Sequence, residues 1–185
     1  MIFKNVFTLL FLGIQIFGHA QSYKIKESVK RIVFIGNSIT YAGDYISYID
    51  AYLSIRYPKK NYEIINLGLP SETVSGLSEP DHAHGEFPRL NLHRRLERLL
   101  NDTKPDLIFA CYGMNDGIYM PLDEGRIKKF RDEISRLHNK VVTQGAEIIH
   151  LTPPIYDGEK VKITAICWKS IQTGLWAKGI PPSGM

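Results

Sequence analysis

Three polar residues each follow an apolar run and stand in a turn-forming stretch of the chain: Ser38, Ser71 and Asn115. A serine hydroxyl can act as the nucleophile of an acyl-transfer reaction. Backbone N–H groups and an asparagine side-chain amide can donate hydrogen bonds to the oxyanion that such a reaction creates. These residue types therefore predict hydrolysis of an acyl ester, provided that the fold brings them together.

Four short apolar runs alternate with stretches of helical periodicity, and these predict the elements that must position the three residues. The apolar runs cover residues 32–35, 62–67, 107–111 and 146–151. Helices are predicted from Asp44, as an N-cap, to residue 57, over residues 92–100, and from Asp123 to residue 144, with Gly145 just past the end. Short β-branched and aromatic runs that end at Gly or Pro are typical of strands buried on both faces. The alternation predicts a three-layer α/β/α fold with a parallel, flavodoxin-like sheet.

In a parallel sheet the carboxyl ends of the strands lie along one edge, where ligands bind in open α/β folds. The loops that carry Ser38, Ser71 and Asn115 can therefore converge on one cleft. Taken alone, the first loop has a simpler interpretation. It is then an ordinary turn in which Asn37 and Ser38 satisfy only local backbone groups.

Composition and charge narrow the classes of function. The 185 residues amount to one domain, with ordinary hydrophobic and charged contents of 44% and 23%. The formal net charge of +4 is modest and no basic stripe accompanies it, so nucleic-acid binding is not predicted. Cys111 and Cys167 are too few for a disulfide framework and lack metal-ligand spacing. No cofactor or metal is predicted, and the oligomeric state is left open.

The first twenty residues have the composition of a secretory signal peptide. Lys4 is their only charge, residues 6–17 are apolar, and Gly18 and Ala20 are small residues at the positions that a signal peptidase reads. The apolar stretch is too short to span a membrane. We expect the mature chain to begin near Gln21 and to be secreted or periplasmic; the alternative is a buried N-terminal strand or helix.

Three stretches resemble, in order, the first three blocks of the SGNH hydrolases, the GDSL-type esterases and acylhydrolases: I-G-N-S-I-T, N-L-G-L-P-S-E-T and Y-G-M-N-D. The resemblance covers residues 31–154. It implies that Ser38 is the nucleophile and an oxyanion donor through its backbone N–H, and that Asn115 is a side-chain oxyanion donor. Ser71 stands where many members have a glycine that donates its backbone N–H. Serine has the same N–H, so the role is carried to Ser71, and Gly68 is interpreted as a turn residue.

The last block of that family, D-x-x-H, supplies the catalytic base and its orienting acid, and the C-terminal part of this chain contains no such block. The letters D-x-x-H occur at residues 81–84, but before the third block, so we interpret them as a coincidence or as a loop at the rim of the cleft. His93 and His138 are predicted to be solvated on helices, and His150 to be buried in the fourth strand.

The helical and strand periodicity stops near residue 161, and residues 162–185 have no clean amphipathic period. We predict that these residues are an out-of-frame or divergent tail. The reason is that codons compatible with them can encode, in a shifted reading frame, a segment with the periodicity of a helix. The nucleotide sequence of the gene distinguishes the two possibilities. The predicted organisation is a signal peptide at 1–20, an SGNH hydrolase-like domain at 21–161 whose C-terminal part is missing, and the tail at 162–185. Without a base for Ser38, the chain is expected to be impaired as a hydrolase.

The predicted function is that of a secreted serine esterase that cleaves small acyl esters. By analogy with the family, its substrate is an acetylated carbohydrate or another small-molecule ester. One alternative is a flavodoxin-like module whose loop at residues 36–40 binds a phosphate or nucleotide. That alternative leaves Asn115 without a role. The other is a catalytically inactive remnant of the esterase.

Overall fold

The computed structural model of the chain describes residues 23–118, 120 and 123–153. The predicted signal peptide at residues 1–20 and the predicted tail at residues 162–185 lie outside these residues. In the part that is described, no helix is long and apolar enough to cross a membrane.

Strands and helices alternate along the described chain, and all strand pairs are parallel. The strands are β1 (Arg31–Gly36), β2 (Glu63–Asn66), β3 (Leu107–Cys111) and β4 (Glu147–Leu151). The helices are α1 (Ser38–Ala42), α2 (Asp44–Arg56), α3 (Leu96–Thr103) and α4 (Glu124–Thr143). Two short 3₁₀ turns, His82–Gly85 and Leu92–Arg94, lie between β2 and α3. The strand order is β2-β1-β3-β4, which confirms the predicted flavodoxin-like α/β/α fold.

The sheet is covered on both faces because successive residues of its central strands point to opposite sides. In β1, Val33 and Ile35 belong to the apolar layer that contains residues of α3 and α4. Ile32 and Phe34 belong to the layer that contains residues of α2. All four side chains are fully buried. This two-sided burial explains why the strand reads as a continuous apolar run rather than an alternating one.

The chain becomes helical earlier after β1 than its sequence predicts. Asn37 accepts a hydrogen bond from the backbone N–H of Ile39 at 3.1 Å, so a first short helix begins at Ser38. Gly43, with a φ of 84°, ends that helix and is the N-cap of α2. The prediction that Asp44 is the N-cap is therefore wrong, because the left-handed conformation at Gly43 makes Asp44 the first residue of α2.

The helix predicted over residues 92–100 is divided in two. A 3₁₀ turn at Leu92–Arg94 comes first, and Arg95, with a φ of −115°, separates it from α3. The side chain of His93 in this turn is only 9% exposed, with its Nε2 at 3.1 Å from Oε2 of Glu133 in α4. Burial lowers the pKa of His93, although the charge of Glu133 opposes that change. The prediction that His93 is solvated is therefore wrong.

His138 of α4 and His150 of β4 contact each other. Nδ1 of His138 lies 3.3 Å from Nε2 of His150, and the two rings are stacked with their centroids 5.6 Å apart. The prediction that His138 is solvated is therefore wrong, because this part of α4 packs on the sheet. His150 is half-buried in β4.

We expect His150 to make the free energy of unfolding depend on pH. Burial, assisted by His138, lowers its pKa from 6.5 to about 4. Between those two pH values the unfolded chain binds a proton that the folded chain does not, so stability decreases as the pH falls through this window. His150→Gln should reduce that slope in urea unfolding measured between about pH 4 and pH 7. A variant with the same slope as the wild type would contradict this expectation.

Candidate active site

Ser38 lies at the carboxyl end of β1 as the first residue of α1, and its side chain is exposed. A shallow depression of about 360 Å³ adjoins it, lined by Ser38, Ile39, Ala42, Asp44 and Tyr45. Within residues 23–118, 120 and 123–153, no side chain or backbone group forms a hydrogen bond with Oγ of Ser38. The hydroxyl is therefore open to a bound substrate.

The backbone of α1 is held by Asn66, the last residue of β2, and by the segment that follows it. Nδ2 of Asn66 donates to the carbonyl oxygens of Thr40 at 2.8 Å and Tyr41 at 3.3 Å. Oδ1 of Asn66 accepts a hydrogen bond from the backbone N–H of Gly68 at 2.9 Å. A Cβ atom on Gly68 would lie only 2.2 Å from the backbone nitrogen of Tyr41. Gly68 thus allows the backbone after β2 to approach the backbone of α1 closely. It is also a residue of the turn that the sequence predicts.

Gly68→Ala is expected to destabilise the fold by about 3 kcal/mol, the upper end of the usual cost of overpacking, because the obstructing atoms are backbone. Urea unfolding measures this loss. Gly125→Ala in α4 is a control, since its Cβ would meet no backbone and only one side-chain atom, Oδ1 of Asp123, at 3.1 Å. An equal loss of stability in both variants would contradict the proposed close approach.

Ser71 lies in the turn after β2 with a φ of 64°, in the left-handed region. Glycine adopts that region readily and residues with a Cβ adopt it seldom. The position where the resemblance implies glycine therefore has a backbone conformation that favours glycine, even though serine occupies it. Within the described part of the chain, the backbone N–H groups of Ser38 and Ser71 form no hydrogen bond. Both donors are available to a ligand.

The structure links the three loops at one edge of the sheet. The buried Asn115 donates from Nδ2 to the carbonyl oxygen of Glu72, the residue after Ser71, at 3.1 Å. The backbone N–H of Leu69, two residues before Ser71, donates at 2.9 Å to the carbonyl oxygen of Gly36, two residues before Ser38. The loops that carry the three predicted residues are thus in contact with one another.

Asp116 fixes the loop after β3, a role that sequence analysis did not assign to it. Its Oδ1 accepts a hydrogen bond from the backbone N–H of Ser75 at 2.7 Å, and its Oδ2 accepts one from that of Gly113 at 3.1 Å. Burial raises the pKa of Asp116, while these two hydrogen bonds oppose the rise. The only signal in the sequence is its place directly after Asn115 in the third block.

Three further polar residues adjoin the site and were also missed: the buried Glu72 and Tyr112, and the partly buried Arg95. Arg95 and Tyr112 both donate hydrogen bonds to the carboxylate of Glu72. Burial, together with the charge of Glu72, raises the pKa of Tyr112 well above its ordinary value, so that its hydroxyl remains a donor. A glutamate in the second block and an arginine shortly before α3 are the signals that could have suggested an ion pair.

The contacts that the histidines of the described residues make do not involve Ser38. In the segment at residues 81–84, Nδ1 of His82 lies 3.3 Å from Oε1 of Glu79. His93 faces Glu133, and His150 faces His138. None of these contacts joins a histidine to Ser38.

Comparison with known proteins identifies the fold. No protein-family model and no curated protein sequence matches the chain. A variant of Axe2, an acetyl-xylooligosaccharide esterase from Geobacillus stearothermophilus, matches with a TM-score of 0.59 at 20% identity, covering 82% of this chain and 70% of that one. LAE5, an α/β hydrolase enzyme from the metagenome of Lake Arreo in Spain, matches with a TM-score of 0.56 at 20% identity, over 79% and 70%. The acetyl xylan esterase AlAXEase matches with a TM-score of 0.52 at 20% identity, over 80% and 73%. The chain therefore shares the fold of these solved structures, which agrees with the parallel α/β/α architecture that its sequence predicts.

Proposed function

We propose that the edge of the sheet at Ser38 is the acyl-transfer site of an ester hydrolase that removes acetyl groups from carbohydrates. The observation that supports this proposal best is the joining of three loops, which carry an exposed serine hydroxyl, two backbone N–H groups without partners in the described chain, and a buried asparagine amide. Structural neighbours whose names describe acetyl-xylooligosaccharide and acetyl xylan esterases support the choice of substrate. The first twenty residues of the sequence support action outside the cytoplasm.

The proposed reaction follows from the types of group present. Oγ of Ser38 attacks the acetyl carbon and its proton passes to a base, while the carbonyl oxygen becomes an oxyanion. The backbone N–H groups of Ser38 and Ser71 and Nδ2 of Asn115 donate hydrogen bonds to that oxygen. Collapse of the tetrahedral intermediate breaks the bond to the sugar oxygen, which takes the proton back from the base and leaves as a hydroxyl, and an acetyl ester remains on Ser38. Water then attacks this ester, releases acetate and restores the serine.

The substrate proposal is tested by incubating the full chain with acetylated xylo-oligosaccharides and measuring released acetate. We expect release by the wild type and none above buffer by Ser38→Ala. Butyryl esters of the same alcohol are the control on the acyl group, and a faster release of butyrate than of acetate would contradict the proposed acetyl specificity. Wild-type rates that do not exceed those of Ser38→Ala on any of these esters would refute the proposed function.

Among the described residues no contact joins a histidine to Ser38, so the base is tested separately. A serine hydroxyl without an adjacent base is a weak nucleophile. We therefore expect slow turnover through Ser38, and added imidazole to increase it by acting as the base. The measurement is the difference in rate between the wild type and Ser38→Ala at each imidazole concentration. A difference that does not grow with imidazole would contradict this expectation.

A further inference from the structure

The carboxylate of Glu72 is fully buried and both of its oxygens accept hydrogen bonds. Its Oε1 accepts from Nε of Arg95 at 2.7 Å. Its Oε2 accepts from Nη2 of Arg95 at 2.7 Å and from the hydroxyl of Tyr112 at 2.6 Å. Burying a charge is unfavourable unless it is paired and hydrogen-bonded, and this bidentate arrangement satisfies that requirement.

These contacts connect the ends of two strands and the beginning of a helix. Glu72 lies in the turn after β2, Tyr112 directly follows β3, and Arg95 directly precedes α3. Nη2 of Arg95 also donates to the carbonyl oxygen of Leu67, the residue after β2, at 2.8 Å. Separating buried ionic partners would leave an uncompensated charge, so the carboxylate holds these segments in one arrangement.

The same residue adjoins both proposed oxyanion donors through its backbone. The N–H of Ser71 belongs to the residue before Glu72, and the carbonyl oxygen of Glu72 accepts the hydrogen bond from Nδ2 of Asn115. Tyr112 also lies only three residues before Asn115, on the loop after β3. Arg95 and Tyr112 thus hold the side chain of Glu72, and the backbone of Glu72 in turn positions the donors at Ser71 and Asn115.

We propose that Glu72, Arg95 and Tyr112 form a positioning unit that sets the geometry of the oxyanion donors Ser71 and Asn115. This proposal rests on the proposed function, because the donors have a catalytic role only if the chain hydrolyses esters. The three residues act through the donors and do not touch the substrate. Their contribution is realised in the transition state, when the oxyanion forms, and little of it is realised in substrate binding.

The chain offers a matched ion pair as a control. Glu79 and Arg89 lie in the same connection between β2 and α3 and are also bidentate, with Nε to Oε2 at 2.7 Å and Nη2 to Oε1 at 2.6 Å. The carboxylate of Glu79 also contacts His82, on the segment at residues 81–84. A variant at Glu79 therefore perturbs a similar ion pair in a different segment.

Tyr112→Phe keeps the aromatic ring and removes only the hydrogen bond to Glu72. We expect kcat for ester hydrolysis to fall about tenfold with KM unchanged, since a small displacement of positioned groups is enough to lower the rate. Glu79→Gln should leave both constants unchanged. An unchanged kcat in Tyr112→Phe, or an equal loss in Glu79→Gln, would overturn the proposal.

A second measurement does not depend on activity. Exchange of the Asn115 side-chain amide protons, followed by NMR, should be at least about tenfold faster in Tyr112→Phe than in the wild type and Glu79→Gln. Unchanged exchange would overturn the positioning role whether or not the chain hydrolyses esters. Faster exchange in a chain without esterase activity would instead support the positioning unit and refute the proposed function.

Discussion

Ser38→Ala is expected to abolish ester hydrolysis by this chain. Without Oγ no acyl-enzyme can form, so turnover through this residue is lost. The loss should leave the fold intact, because the side chain of Ser38 is exposed and has no hydrogen-bond partner among the described residues. Turnover of p-nitrophenyl acetate measures the rate, and far-ultraviolet circular dichroism checks the fold.

Ser47→Ala is the matched control for this experiment. Ser47 is also an exposed serine, on the neighbouring helix α2, where its hydroxyl donates to the carbonyl oxygen of Gly43 at 3.3 Å. That variant should hydrolyse the ester at the wild-type rate. A fluorophosphonate probe should label the wild type and Ser47→Ala, as seen by the mass of the intact protein, and should leave Ser38→Ala unmodified. Retained turnover or retained labelling in Ser38→Ala would place the nucleophile elsewhere.

Asn115→Ala should lower kcat by about 10²–10³-fold, or roughly 3–4 kcal/mol of transition-state stabilisation, with KM nearly unchanged. The amide is proposed to donate to the oxyanion. Its loss therefore raises the free energy of the transition state, in which that charge develops, and leaves substrate binding nearly unchanged. The variant also leaves the carbonyl oxygen of Glu72 without this donor, which costs about 1–3 kcal/mol of stability where the group is buried. Urea unfolding should therefore accompany the kinetic measurement.

Asn101→Ala in α3 provides the comparison for Asn115, because that asparagine is exposed. It should change neither kcat nor stability beyond about 0.5 kcal/mol. A decrease in kcat of less than about fivefold in Asn115→Ala would show that Asn115 only shapes the turn after β3.

The strands were predictable because burial on both faces leaves a direct mark on the sequence. The apolar run at residues 107–111 coincides with β3, and the others differ from the observed strands by one or two residues. The N-cap after β1 was not predictable in the same way. Asp44 has a suitable side chain for a cap, and only the left-handed backbone at Gly43 shows that Gly43 occupies that position.

The candidate site was partly predictable from local sequence. Ser38, Ser71 and Asn115 each lie in the turn that follows a strand, where both the turn residues and the family blocks mark them. The unit at Glu72 was not predictable, since Arg95 and Tyr112 are 23 and 40 residues away from it in sequence. No periodicity connects residues so far apart, and only the packing of β3 and α3 on the turn after β2 shows that they pair.

The left-handed backbone at Ser71 has a consequence for how such chains are recognised across evolution. Glycine relieves a strain of about 1 kcal/mol there, yet both residues present the same N–H. Serine codons AGT and AGC differ by one base from the glycine codons GGT and GGC, so a lineage can exchange the two residues in a single mutational step. A search pattern that requires glycine at this position tests the identity of the side chain, whereas the proposed chemistry requires only the backbone N–H. Such a pattern would discard chains that retain the donor.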